Sequence, residues 1–135
     1  MADSYLPLVK KIIAALKADG TLSAIVSARV YTEVPQEATF PYVIVHVTSL
    51  PFDSADTTGM EHTINVQGFS RLPTSREAAA IRAAVYAVLH RTESSLTLDT
   101  GQLFNINYTG LGFVTQELDG VTWQSLAQFR AVVMD

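Results

Sequence analysis

The dipeptide Asp119-Gly120 lies between two stretches in which apolar and polar residues alternate, and it constrains the fold more than any other feature of the chain. Asp-Gly in this setting predicts a β-hairpin closed by a two-residue type I′ turn. Such a turn fixes the register of the two strands. The pairs predicted to face each other are Leu118 with Val121, Gln116 with Trp123, and Phe113 with Leu126.

This register sorts the last strand into an apolar face and a polar face. The residues predicted on the apolar face are Val121, Trp123, Ala127, Phe129, Ala131 and Val133, and those on the polar face are Thr122, Gln124, Gln128 and Arg130. Phe113 and Leu126 fall together on the polar face. Paired apolar side chains on an otherwise polar surface predict a contact patch.

Periodicity elsewhere predicts two main helices, over residues 4–18 and 74–91, and a short helix over 21–26. Strands are predicted over 29–31, 42–48, 61–70, 104–108, 113–118 and 121–133. The order α-(short helix)-β-β-β-α-β-β-β lacks a βαβ rhythm. We therefore expect an α+β fold, with the two main helices packed on one mainly antiparallel sheet. The 135 residues fit a single domain over residues 1–135.

Composition excludes several classes of protein. The chain is 48% apolar and 16% charged, which excludes a disordered chain, and its apolar runs are shorter than the ~20 residues of a membrane helix. The absence of cysteine excludes disulfides, thiolate metal sites and cysteine nucleophiles. A net charge of −4 argues against nonspecific nucleic-acid binding. Met1 begins no signal-peptide pattern, so synthesis in the cytoplasm is expected.

Charge is sorted along the chain, because residues 30–70 contain five carboxylates and no Lys or Arg. Three of these carboxylates, Asp53, Asp56 and Glu61, are assigned to an acidic loop. The loop lacks the alternating ligand pattern of a calcium site. It is either a solvated loop or a loop that faces a partner or a channel.

No constellation of catalytic or metal-binding residues is evident. His46 lies inside an apolar strand, His62 is expected to be exposed at a strand start, and His90 lies near a helix C-terminus. If the two strands that carry them pair, His46 and His62 could approach each other, but further metal ligands are lacking. No cofactor is predicted. An enzyme or ligand-binding alternative would use a pocket lined by Tyr42, His46, Tyr108 and Trp123.

The second main helix carries Arg82, Tyr86 and His90 at spacings of four residues, which places them on one stripe. The stripe is either a hydrated face or a polar subunit interface.

The run Arg29-Val-Tyr-Thr-Glu-Val-Pro-Gln-Glu-Ala-Thr-Phe-Pro-Tyr-Val-Ile-Val resembles a family of short tail proteins from long-tailed phages, prophages and gene transfer agents. That family has an opening helix, a short R-[VI]-Y strand, a P…PY-[VI] strand, an acidic loop containing Gly, a further strand, and a helix ending near L-H. A strand containing Trp follows, matched here by residues 119–123 and 129–133. The match covers nearly the whole chain.

The resemblance implies a tail terminator, also called a tail-completion or tail-to-head joining protein. Relatives of this kind form a hexameric ring that caps the tail tube, ends its polymerisation and presents a docking surface for the head connector, and DNA later passes through the ring. The implied partners are further copies of the chain, the major tail tube protein and a head–tail connector or stopper. The implied location is the bacterial cytoplasm during assembly and then the head–tail junction. A neck or stopper protein is the alternative.

On this interpretation the protein is not an enzyme, and its work is done by surfaces. Asp53, Asp56 and Glu61 are expected to face the channel or the tail tube. The residues expected at subunit or partner contacts are Phe113, Leu126, Arg82, Tyr86 and Arg130.

Overall fold

The computed structural model describes residues 3–53, 58–99 and 101–135. Its helices are α1 (Tyr5–Ala18), α2 (Gly20–Val26) and α3 (Arg76–Leu89), with one 3-10 turn at Glu93–Ser95. Its strands are β1 (Val30–Tyr31), β2 (Tyr42–Asp53), β3 (Thr58–Ser70), β4 (Gln102–Gln116) and β5 (Trp123–Met134). They form one sheet in the order β1-β2-β3-β5-β4. Only the short β1–β2 pair is parallel, so the predicted α+β class is confirmed.

The helices cover one face of the sheet, and the core lies between them. Ile64 and Val66 of β3 point into this core, as their alternation with polar residues predicts. Phe129 of β5 is completely buried beside them. The helix residues buried against the sheet repeat at helical spacing and include Leu8, Ile12, Leu16, Ile81, Val85 and Leu89.

The strands of the C-terminal hairpin have the predicted register, but the turn differs and the predicted pair of Leu118 and Val121 does not form. Gln116 pairs with Trp123 and Phe113 pairs with Leu126. The strands close at Glu117, whose N–H donates to the Thr122 carbonyl at 2.8 Å, leaving a loop of residues 118–121.

Asp119 is the reason for the different turn. Its carboxylate accepts hydrogen bonds from the N–H groups of Val121 and Thr122 at 2.8 Å and from the Thr122 hydroxyl at 2.7 Å. Gly120 has φ +70°, but Asp119 is not among the described residues with positive φ. A type I′ turn needs positive φ at both positions, so the predicted turn type was wrong.

The strands are longer and fewer than predicted. β2 continues to Asp53 and β3 starts at Thr58, so most of the stretch between the predicted strands 42–48 and 61–70 is strand. The predicted strands 104–108 and 113–118 form a single strand, β4. Its pairing with β5 shifts register between Tyr108 and Gly112. Gly110 lies inside this irregularity with φ +94°, a conformation that glycine adopts without strain.

Candidate interaction surface

No helix formed by the described residues covers the second face of the sheet. We call it the helix-free face. Its side chains alternate along each strand with those that enter the core. They include His46, Thr48 and Leu50 of β2, Glu61, Thr63, Asn65 and Gln67 of β3, Phe113 and Thr115 of β4, and Leu126, Gln128 and Arg130 of β5.

Phe113 and Leu126 lie opposite each other on this face, as the sequence predicts. Phe113 is 40% exposed. Leu126 lines a groove of about 380 Å³ together with Leu111 and with His46 and three amide side chains. One of these amides, Gln128, donates a hydrogen bond to Asn65 at 3.1 Å. An apolar centre surrounded by amides is suited to protein–protein contact.

Glu61 lies on the same face and forms an ion pair with Arg130 of β5 at 2.7 Å. Its assignment to a loop was therefore wrong, because β3 begins three residues earlier. The Glu61 carboxylate accepts a hydrogen bond from Arg130 and raises the pKa of the guanidinium. Asp53 is the last, exposed residue of β2 and likewise lies in a strand. Asp56 lies outside the described residues.

The Arg82, Tyr86 and His90 stripe of α3 packs on β4 of its own chain. Arg82 donates hydrogen bonds to the Tyr108 hydroxyl and to the Leu126 carbonyl. The Tyr86 ring meets the Tyr108 ring edge-on at 5.4 Å and stacks on His90 at 4.7 Å. His90 Nδ1 accepts a hydrogen bond from the Tyr108 N–H at 3.0 Å. The stripe therefore holds β4 against the helix layer.

His62 is completely buried, although the sequence predicts it to be exposed. β3 begins earlier than expected, and the alternation then directs His62 to the helix-covered face. Its Nε2 hydrogen-bonds the Ser4 hydroxyl at 2.8 Å, and its Nδ1 hydrogen-bonds the Ser49 hydroxyl at 2.7 Å. Burial lowers the pKa of His62, and Asp3 opposes this shift only in part.

The two histidines of β2 and β3 do not come together, because His46 is opposite Asn65 on the helix-free face. Among the described residues no group of three or more His, Asp or Glu could hold a metal ion.

The hypothetical pocket of Tyr42, His46, Tyr108 and Trp123 does not form. Tyr42 and His46 lie on the helix-free face, opposite Phe69 and Asn65. Tyr108 and Trp123 lie on the helix-covered face, opposite Phe129 and Gln116. The sheet separates the two pairs. Within the described ranges, no helix is long and apolar enough to cross a membrane.

Sequence reasoning missed β4 as an edge strand. Its residues 102–116 include no charged residue and no proline, although natural edge strands ordinarily carry such residues. Leu111, at 50% exposure, and Phe104 project from it into solvent. The absence of charge over 15 residues is the signal from which this unusual edge strand could have been noticed in the sequence.

Comparisons with known proteins identify the fold and the family. No curated protein matches the chain. A chain from a solved structure of the virion of a native gene transfer agent particle has a TM-score of 0.88 and 21% identity, with 100% of both chains covered. This likeness shows the fold. The model of the family described as tail completion protein gp17 matches residues 10–134. The chain therefore belongs to the tail completion protein gp17 family.

Proposed function

We propose that this protein forms a ring that caps a phage-like tail tube, ends its polymerisation and joins the tail to the head connector. The observation that carries the proposal is the helix-free face, where exposed Phe113 lies opposite partly buried Leu126, on a member of a tail completion family. In this proposal the protein acts through contacts with other proteins and catalyses no reaction. A hexamer is the expected state, since the resemblance described above implies it.

A ring of identical subunits needs two different complementary patches on each subunit. Phe113, Leu126 and Arg130 on the helix-free face supply one contact region in this proposal. Arg82 and Tyr86 lie on α3 beside the same edge of the sheet. Tyr86 remains partly exposed there and is available to a neighbouring subunit.

The partners proposed beyond the ring are the major tail tube protein and a head–tail connector or stopper. DNA passes through the ring without specific binding. Asp53 and Glu61 lie at the end of the hairpin where β2 ends and β3 begins, and Asp56 belongs to the same sequence segment. In this proposal they supply negative charge to the channel wall, although the charge of Glu61 is partly balanced by Arg130. Negative charge at a channel wall disfavours phosphate contacts that would slow DNA transit.

Assembly would take place in the bacterial cytoplasm, and the finished protein would stay at the head–tail junction of the particle. A match to a virion chain over its full length supports this location.

The test is complementation of a particle-producing strain that lacks this gene. We expect the wild-type chain to restore tails of uniform length joined to heads, as seen by electron microscopy. Phe113→Asp should abolish this restoration while the purified variant keeps its melting temperature within a few degrees, because Phe113 is not a core residue. Ala28→Asp, an exposed change outside the sheet, is the matched control.

Uniform, head-joined tails in the absence of the gene would contradict the proposal. Location of the protein against the connector alone, in a reconstruction of the particle, would favour a neck or stopper role.

A further inference from the structure

The edge strand β4 is divided into a bonded half and a free half. In the bonded half, the Ile106 carbonyl accepts from the Arg91 N–H at 2.8 Å, and the Tyr108 N–H donates to His90. In this half, these backbone N–H and C=O groups of β4, which point away from β5, therefore already have hydrogen-bond partners within the chain. The register shift after Tyr108 ends this half.

In the free half, backbone groups point to solvent. The Glu117 N–H bonds β5, and alternation along an antiparallel pair then turns the groups of residues 112, 114 and 116 outward. No described residue hydrogen-bonds these outward backbone groups. Leu111 and Phe113 are exposed beside them. An uncharged, unpaired and partly apolar edge is a template for an added strand.

The opposite edge of the sheet offers a second free stretch. β1 ends at Tyr31, so β2 is unpaired on that side beyond Ile44. The Val43 N–H donates outward to the Arg29 carbonyl at 2.9 Å. Alternation then directs the backbone groups of Val47 and Ser49 outward as well. Pro51, which has no N–H, ends this stretch.

The β2 edge lies beside a concave surface, whereas the β4 edge belongs to a projecting hairpin. A groove of about 510 Å³ runs between α1 and β2 and is lined by Leu6, Val9, Val45 and His46. Leu6 is 72% exposed. At the tip of the hairpin formed by β4 and β5, Leu118 is fully exposed. Leu118 at the tip and Leu6 in the groove are both exposed apolar side chains, and contact between tip and groove would bury them.

Charge favours the same pairing. The charged residues of α1 are all basic, namely Lys10, Lys11 and Lys17, and Lys10, which lines the groove, also pairs with Asp99 at 3.0 Å. The hairpin tip carries Glu117 and Asp119, and backbone hydrogen bonds from Thr122 and Val121 lower the pKa of Asp119 to about 2. Glu33 also lines the groove and opposes this attraction in part.

We propose that copies of this chain join head to tail by strand addition, the free half of β4 in one copy pairing with the free stretch of β2 in the next. The sheet then continues from subunit to subunit, and a rotation that closes produces a ring. The inference rests on the proposed function, since it names the contact from which that ring is built.

Cysteine crosslinking tests the pairing, because the chain has no cysteine of its own. Thr115→Cys is combined in turn with His46→Cys, Thr48→Cys and Leu50→Cys. All four positions are exposed on the helix-free face, and the three β2 positions sample neighbouring registers. Residues opposite each other in paired strands are close enough for a disulfide. Oxidation of purified protein at about millimolar concentration should give a ladder of multimers for at least one double variant.

Each single variant should stay monomeric after oxidation. A covalent dimer from Thr115→Cys alone would mean that β4 pairs with β4 across a two-fold axis, and would overturn the inference. Failure of all three double variants, both in solution and in assembled particles, would also overturn it.

Val114→Pro provides an independent measurement, because no residue in the described ranges accepts a hydrogen bond from the Val114 N–H. The variant should weaken self-association at least tenfold, while Val114→Ala should not. Rings seen by electron microscopy without crosslinks would reject the strand pairing and leave the proposed function standing. Crosslinked multimers of a protein that does not cap tails would support the strand pairing and contradict the proposed function.

Discussion

Arg82 of α3 donates a hydrogen bond to the hydroxyl of Tyr108 on β4, and the two side chains close over the backbone of Gly112. A Cβ at Gly112 would overlap the Tyr108 hydroxyl and lie 2.8 Å from the Leu126 carbonyl. The irregular part of β4 thus depends on a residue without a side chain. Helix and edge strand approach each other closely only because of it.

Gly112→Ala should therefore destabilise the protein by about 1–3 kcal/mol, the usual cost of forcing extra volume into a packed site. Chemical denaturation measures the change in the free energy of unfolding. Tyr108→Phe, made in the same background, removes the oxygen that the new methyl group meets and should restore part of the loss. An equal loss in the single and double variants would show that the hydroxyl is not the obstacle.

His62 should make stability depend on pH. Its folded-state pKa is lowered by burial, so the unfolded chain binds the proton more readily, and stability is lost as pH falls below the ordinary histidine value of about 6.5. Thermal melts between pH 8 and pH 5 should show this decline. His62→Gln should flatten it, whereas His46→Gln, an exposed change, should not. Identical pH profiles for wild type and His62→Gln would contradict the prediction.

Asp119 should stabilise the hairpin turn only in its ionised form. Its pKa is lowered to about 2 by hydrogen bonds from Thr122 and Val121, so the stabilisation is present above the ordinary aspartate value and is lost as pH falls from about 4 towards 2. Asp119→Ala should lower the melting temperature at pH 7, and Asp119→Asn should lower it less, since one acceptor oxygen remains. Amide hydrogen exchange at Val121 should increase in the alanine variant.

Two phenylalanines of neighbouring strands should respond differently to truncation. Phe129→Ala creates a cavity in the core and should cost about 3–5 kcal/mol. Phe104→Ala removes a side chain that projects into solvent from β4 and should change stability by less than about 0.5 kcal/mol. Urea denaturation of the two variants gives this comparison directly, and similar losses would contradict the burial described above.

The register of the C-terminal hairpin could be predicted because the position of the turn and the alternation of side chains together allow only one pairing. The turn type could not be predicted, because it depends on hydrogen bonds from two backbone N–H groups to the Asp119 carboxylate, which turn propensities do not include. The fold class followed from element order. The lengths of β2 and β3 could not be predicted, because proline usually ends a strand, whereas Pro51 pairs with Met60 within the sheet.

The sheet face that carries three of the candidate contact residues could be predicted. Phe113, Leu126 and Arg130 lie on the predicted face, because alternation along a strand is local information. The partners of Arg82 and Tyr86 depend on how α3 crosses β4, and single-sequence periodicity does not encode that crossing. The burial of His62 depends likewise on Ser4, which lies 58 residues away in sequence.

The register shift between Tyr108 and Gly112 limits how far any neighbour can extend along β4. On the side of the shift nearer the hairpin tip, the outward backbone groups of β4 are free to bond an added strand. On the other side, the corresponding groups already bond His90 and Arg91. Fibre formation through this edge is therefore disfavoured, because only a few backbone groups of β4 are free to bond an added strand. The register shift thus limits strand addition at an edge that has no charged residue or proline to prevent it.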